Sequence, residues 1–449
     1  MTTTVKYHEG FGSHVSSEAL PGALPKGQNS PQLCPYGLYA EQLSGTPFTA
    51  PREKNLRSWL YRIRPSVVHG PFTPLDSTLP SSHENFVVDP TELRWDPPKV
   101  VDPSIATVDF VDGLSMVCGA CDASLKEGIS IFNFSLNSPM LTSSRTGRVM
   151  CNADGDLLIV PQLGGLELST EFGLLIVEPC EIVVVPRGIK FSVNSTESDG
   201  ISRGYALEVF NGHFELPSLG PIGANGLANP RDFQIPSARF EDKDGDGVAF
   251  VQLQKFGGKF FSCTLQHNPF DVVAWHGNYY PFKYDLRKFN CMNTVSFDHP
   301  DPSIYTVLTV PTSTPGTAAV DFVIFPPRWM VAMHTFRPPY YHRNCMSEYM
   351  GMIHGVYDAK AGGFVPGGAS LHSCGTAHGP DAITFQQAST QTLAPVYFDA
   401  GLAFMFETTY TLKISHEAMS SSSRQKDYAK CWQPLVKHFT GDPAAALKF

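Results

Sequence analysis

Asp156-Leu-Leu-Ile-Val160, Gly165-Leu-Glu-Leu-Ser-Thr170, Leu174-Leu-Ile-Val177 and Glu181-Ile-Val-Val-Val185 follow one another, separated by Gly, Pro or Asp turns. Runs this short and this rich in β-branched residues predict strands. Their recurrence at roughly 8–12 residue spacing predicts a sandwich or barrel. The pattern begins near Val108. A second β-rich block starts near Val295, with Ile304-Tyr-Thr-Val-Leu-Thr-Val310, Asp321-Phe-Val-Ile-Phe325 and the run from Ala403 to Ile414. Thr409, Thr411 and Lys413 in that last run alternate as a half-exposed strand would. The 37 Pro and 38 Gly, spread along the chain, fit many short strands joined by turns.

The expected fold is mainly β. It has two β-sandwich or jelly-roll domains, residues 1–287 and 288–449, with a loop-rich amino-terminal region and a few helices. Trp59-Leu-Tyr-Arg-Ile63 is the apolar anchor of that first region. After Ser420 to Ser423 an amphipathic helix is expected through Trp432, Leu435 and Phe439.

Charge and composition exclude several functions. A net charge of −9 without a Lys/Arg-rich run argues against nucleic-acid binding. Apolar residues at 42% against charged residues at 17% fit deep cores rather than disorder. Met1-Thr-Thr-Thr-Val-Lys-Tyr-His8 has no apolar signal core, no stretch is long enough to span a membrane, and Leu447-Lys-Phe449 is not a peroxisomal tripeptide. A soluble, cytoplasmic protein is expected. The ten cysteines lack the spacing of a disulfide framework, and Cys118 and Cys121 read as two buried thiols.

Histidines cluster. His334, His342, His354, His372 and His378 fall close together, with Glu348 among them. Two imidazoles and a carboxylate on one face leave positions open for substrate and O2, the usual ligand set of a non-haem Fe(II) oxygenase. Glu348 lies six residues beyond His342, an even offset that puts both on one face of a strand, and Gly355 follows seven residues later. The run resembles the first cupin motif, and Pro366-Gly-Gly-Ala-Ser-Leu-His372 a degenerate second one. On spacing alone His372 is the third ligand. Glu348 sits among Met346, Tyr349, Met350 and Met352, where an unpaired carboxylate would cost several kcal/mol. Either a metal or a buried partner such as Arg343 would account for it.

At these residues the chain resembles the homogentisate 1,2-dioxygenase family. Arg337-Pro-Pro-Tyr-Tyr-His-Arg-Asn-Cys-Met-Ser-Glu348, Pro366 to Ser373 and His378-Gly-Pro-Asp381 carry the likeness. So do Leu38 to Gly45, Arg57 to Ile63, Gly220 to Phe233, Trp275-His-Gly-Asn-Tyr279 and Phe322 to Trp329. The resemblance implies His342, Glu348 and His378 as Fe(II) ligands and His299 as the acid/base beside the substrate. It implies Tyr357 and His378 as substrate contacts, and His372 as a pocket or supporting histidine. The implied reaction opens the ring of homogentisate with O2 to give maleylacetoacetate, a step of phenylalanine and tyrosine breakdown, with no organic cofactor. The implied assembly is a homo-hexamer, a dimer of trimers.

Other signals weigh less. Asp242-Lys-Asp-Gly-Asp-Gly247 opens like a calcium loop but has Leu253 where a bidentate Glu belongs, so a solvated turn is expected. Pro186-Arg-Gly-Ile-Lys-Phe191 resembles a cupin motif with Phe in place of the metal-binding His, which implies a metal-free first domain that serves assembly. Gly220 to Phe233 reads as a packed loop. His276 could line a pocket or make a structural hydrogen bond. A different metal cupin, or a non-catalytic binding cupin, remain the competing classes.

Overall fold

The computed structural model describes residues 5–75, 83–301, 305–360 and 362–442. Met1–Thr4, Ile304 and Leu447–Phe449, on which parts of the sequence reading fell, lie outside them. The described residues are mainly β, with two α-helices, Ala382–Thr390 and His416–Ser420. The chain divides into two compact units. One comprises Met1–Asn85, Lys99–His213 and Asn229–Lys288; the other comprises Phe86–Pro98, Phe214–Ala228 and Phe289–Phe449.

In the first unit the four opening runs separate into two sheets. Asp156–Leu163 pairs antiparallel with Glu181–Val185 and Ser202–Val209. Leu166–Thr170 pairs with Gly173–Val177 and Lys190–Ser195. Burial explains the split. Residues 156–161 are buried without a break, as in a strand covered on both faces, while residues 166–170 and 173–177 alternate. Phe110 touches Phe134 of one sheet and Phe191 of the other, at 5.3 and 6.5 Å between ring centroids. Phe191, expected from the motif likeness to replace a metal-binding His, is a core residue.

The amino-terminal region contributes more strand than its composition suggests. Arg57–Arg62 lies between Tyr39–Ser44 and Val272–Gly277 in a four-stranded sheet. His276 in this sheet makes a structural contact, its Nε2 3.3 Å from the Tyr61 hydroxyl. Residues 242–247 form an exposed turn ahead of the strand Ala249–Phe256, and Arg64 pairs with Asp242 and Asp244. Gly220 to Phe233 holds two short 3-10 turns, Gly220–Ile222 and Pro230–Asp232. The expected pair of buried thiols is corrected: Cys118 is buried, but Cys121 is exposed, at φ 64 near the end of the strand Leu114–Asp122.

The second unit is built on one antiparallel sheet of six strands. These are β1 (Leu93–Trp95), β2 (Thr306–Pro311), β3 (Ala318–Phe325), β4 (Ser347–Gly355), β5 (Ala369–His372) and β6 (Gly401–Thr408), in the spatial order β2-β3-β6-β4-β5-β1. Phe322, Phe404 and Phe406 pack across β3 and β6, and Tyr349 of β4 stacks on Phe406. β4 ends at Gly355, with φ 75, where a Cβ would strike the Ala400 carbonyl. Only glycine fits.

Two expectations fail near the carboxyl terminus. β6 stops at Thr408, whose hydroxyl donates to the Ala319 carbonyl and accepts from the Tyr410 N–H, so the backbone bends away before Thr409 and Thr411. The amphipathic helix through Trp432, Leu435 and Phe439 is absent; a 3-10 turn, Tyr428–Cys431, precedes an irregular segment. The reason is Trp432. Its indole N–H reaches the carbonyls of Gly379 and Pro380 at 3.2 and 3.0 Å, and this anchoring takes the place of an i→i+4 ladder.

Candidate metal centre

Glu348 is the second residue of β4 and only 5% exposed. Flanking strands put Glu407 of β6 and His372 of β5 directly opposite it. His342 is not on β4, which corrects the even-offset argument for a shared strand face. It lies on the segment leading into the strand, and its backbone pairs with that of His378. The two N–H groups donate to the opposite carbonyls at 3.0 and 3.1 Å. That bridge, more than strand periodicity, brings the two imidazoles over Glu348.

The ring nitrogens are sorted by their partners. Nδ1 of His342 donates to the Tyr340 carbonyl at 2.7 Å, and Nδ1 of His378 to the Thr376 carbonyl at 3.0 Å. A carbonyl only accepts, so each Nδ1 carries the hydrogen and each Nε2 is turned toward Glu348. His378 Nε2 lies 2.9 Å from Glu348 Oε2 and His342 Nε2 lies 3.5 Å from Oε1. The donor atoms of all three residues fall within 4.8 Å of one another, the one such His, Cys, Asp or Glu group among the described residues. Burial opposes ionisation of Glu348, but hydrogen bonds from His342, His378 and Asn344 hold its carboxyl well below the usual range. The hydrogen bond to Glu348, resisted by burial, raises His342. Without a cation those Nε2 atoms need protons to face a carboxylate. With one, the neutral rings offer lone pairs and every group is satisfied, so the residues fit a divalent metal. Arg343 is exposed and is not among the ion-pair partners of Glu348.

His372, the third ligand on spacing alone, is not in the cluster. Its Nε2 is 2.8 Å from the Tyr428 hydroxyl, and its ring lies flat on that of His378, 4.1 Å between centroids and 11° from parallel. Burial, then the charge of His378, pushes this imidazole well below its ordinary value. Tyr357 follows β4 and stands edge-on to Phe325 and Phe364 at 5.4 and 6.0 Å. Burial and the neighbouring Asp358 push its phenol well up. His299 does not line the cavity over the three donors. Its Nδ1 donates to the Pro300 carbonyl at 2.7 Å, and it meets the edge of Tyr340, the ring that in turn meets His342. Burial lowers its imidazole.

Residues with no signal in the local sequence complete the cavity. Arg94, Lys360 and Tyr428 line it together with the three donors, Tyr357 and His372. The Arg94 guanidinium lies 4.2 Å over the Tyr428 ring. Lys360 donates to the Gly379 carbonyl at 2.7 Å and faces Trp432 at 4.2 Å, and burial brings its ammonium down to about 8. Glu407 is pushed up to about 7, by burial first, against the hydrogen bond from Asn344 and with the charge of Glu348 adding to the rise. Asn344 stood inside the quoted motif, yet nothing in its spacing marks it.

Two family models match adjoining stretches of the chain: homogentisate 1,2-dioxygenase N-terminal over residues 6–286 and homogentisate 1,2-dioxygenase C-terminal over residues 287–439. The chain is 54% identical to a homogentisate 1,2-dioxygenase of Oryza sativa subsp. japonica, covering 98% of this chain and 93% of that one. It is 55% identical to a homogentisate 1,2-dioxygenase of Caenorhabditis elegans, covering 97% and 98%. Among solved structures, a cupin 2 conserved barrel domain protein from Leptotrichia buccalis aligns at 8% identity and a TM-score of 0.24, over 71% of this chain and 98% of its own. That likeness is too distant to define either unit.

Proposed function

The chain belongs to the homogentisate 1,2-dioxygenase family, and from that premise we propose that it opens the ring of homogentisate with O2 to give maleylacetoacetate. In this reading one Fe(II) is held by His342, Glu348 and His378. The observation that carries it is the convergence of two Nδ1-anchored imidazoles on one buried carboxylate. Bound Fe(II) supplies what no side chain has, open coordination positions and one-electron chemistry that let triplet O2 react with a closed-shell ring.

The remaining work belongs to the chain's own residues. Lys360 and Arg94 put positive charge in the cavity wall, which suits the acetate carboxylate of homogentisate. Tyr357 has a phenol held protonated, so it can donate to a substrate oxygen. Phe325 and Phe364 give the ring an apolar seat and leave little room for water. The family resemblance makes His299 the acid/base, and with Nδ1 committed to Pro300 only its Nε2 is left for that role. Its ring stands against Tyr340, outside the cavity wall, so the substrate hydroxyl has to reach toward it. His372, neutral and stacked on His378, holds that ring in place with Tyr428 behind it.

The first unit is read as a metal-free, cupin-like scaffold for assembly, and the assembly as a homo-hexamer in the cytoplasm. No helix among the described residues is long and apolar enough to cross a membrane. Anaerobic iron quantification followed by homogentisate-dependent O2 uptake tests the proposal. About one iron per chain and equimolar O2 consumption are expected; full turnover by iron-free protein would defeat it.

A further inference from the structure

Strand register aligns a polar row beside the candidate metal centre. Asp321 of β3 is opposite Glu407 of β6, Glu407 is opposite Glu348 of β4, and Glu348 is opposite His372 of β5. Directly opposed residues project from the same face of a sheet. The carboxyl of Glu407 therefore stands next to that of Glu348, although it is outside the three-donor cluster.

Asn344 joins the two. Its Nδ2 donates to Glu348 Oε1 at 3.0 Å and to Glu407 Oε1 at 2.6 Å, which uses both amide hydrogens. Its Oδ1 accepts the Met346 N–H at 3.0 Å, and its backbone carbonyl accepts the Gly375 N–H at 2.7 Å. The amide is held at both ends and cannot swing. One oxygen of Glu348 is therefore tied back to Asn344, and Oε2 is left facing His378.

We propose that Asn344, anchored by Glu407, is a positioning residue that fixes the carboxylate of Glu348 for metal binding. This rests on the reading of His342, Glu348 and His378 as a metal site. Neither Asn344 nor Glu407 belongs to the three-donor cluster that would hold the metal. They act by removing the rotational freedom that Glu348 would otherwise lose on binding, as outer partners of ligating carboxylates do.

The test titrates the metal-stripped full chain anaerobically with Fe(II) against a competing chelator, with circular dichroism and the unfolding midpoint of the apo protein recorded alongside. Asn344→Ala and Glu407→Met should each weaken Fe(II) binding about 10–100-fold, the usual loss for an outer partner of a ligand. Glu407→Gln keeps an acceptor for the amide and should restore affinity to within about threefold of wild type. The double variant should bind no more than about threefold more weakly than either single one, since both break one linkage. Binding by Asn344→Ala within about twofold of wild type, or losses that multiply in the double variant, would overturn the inference. If Asn344→Ala does not fold, because the Met346 turn is lost, Glu407→Met decides alone, and unchanged affinity there rejects it. A wild-type chain that takes up no Fe(II) defeats the metal reading itself, a result distinct from equal binding by wild type and variants.

Discussion

Both units bury carboxylates beside nitrogen bases, and they satisfy them in different ways. In the first unit Arg62 is fully buried. It pairs with Glu171 at 2.7 Å, Asp271 at 2.8 Å and Glu41 at 3.0 Å, and it donates further to Ser66 and the Pro269 carbonyl. Lys255 likewise meets Asp154 and Glu208, at 2.9 and 2.8 Å. Arg62 is a permanent cation with every guanidinium N–H directed at an acceptor, and the Lys255 ammonium is shared by two carboxylates, so these acids already have fixed partners. In the second unit Glu348 faces two imidazoles whose protons can be replaced. A guanidinium closes a carboxylate cluster, whereas an imidazole can leave it open to a metal. The difference between a structural network and a chemical centre lies in the partner of the carboxylate, because both are buried to a similar degree.

That contrast can be broken by substitution. The largest effect is expected at the open cluster. Glu348→Ala or His342→Ala should abolish iron retention and homogentisate-dependent O2 uptake, and a purified variant with full iron and normal turnover would refute the ligand assignment. Chelation should lower the unfolding midpoint of the wild type but leave that of Glu348→Ala unmoved, since only a chain that binds metal is stabilised by it.

Arg62→Met should behave in the opposite way. It leaves Glu171 and Asp271 buried without their cation and should cost about 3–5 kcal/mol in denaturant unfolding. It should not change the Fe(II) affinity of whatever folded protein remains. A loss below about 1 kcal/mol would show that this network is slack. His299→Ala should keep its iron while turnover falls by at least about 10²-fold, the scale of a lost acid/base group, and rates like those of the wild type would reject that role.

The smallest expected effect is a pH dependence at a separate cluster of the first unit, where His213 and Arg187 share Asp156. His213 places Nδ1 2.8 Å from Asp156 and Nε2 2.6 Å from the Gly45 carbonyl, so both nitrogens donate. Burial lowers its pKa, but the charge of Asp156 outweighs it and the net shift is upward from 6.5. Arg187, on the same carboxylate, opposes that rise, and Tyr279 packs edge-on against the ring. A raised folded-state pKa stabilises fully below the unfolded value and is lost as pH rises through the folded value. The unfolding midpoint of the wild type should therefore fall relative to His213→Gln as pH rises above 6.5. Parallel pH profiles for the two proteins would rule this out.

Much of this was legible in order of residues. Short apolar runs from 156 to 185, set apart by turn residues, predict strands because branched and alternating apolar side chains fit a pleat, and all four are strands. Glu348 announced itself as an acid among methionines, and its pairing with His342 was expected although the strand argument for it was not right. Helical periodicity at Trp432, Leu435 and Phe439 misled, because periodicity records what a segment could bury and not what its indole N–H will find. His372 misled for a related reason. It occupies the register position opposite Glu348, but Tyr428, 56 residues later, claims its Nε2.

By itself the sequence determined that the chain is mainly β, that imidazoles and an acid gather between 342 and 378, and which family it belongs to. The first two follow from local composition and short-range spacing, and the family from the likeness of whole motifs along the chain. Spacing pointed to His372 and the family resemblance to His378; the tertiary structure supplies the physical reason for His378, the backbone bridge between His342 and His378. It also decided that Arg94, Lys360 and Tyr428 line the same cavity and that Asn344 ties Glu348 to Glu407. Contacts of that kind depend on strand register and on chain segments meeting from far apart, and neither is encoded in the spacing of neighbours.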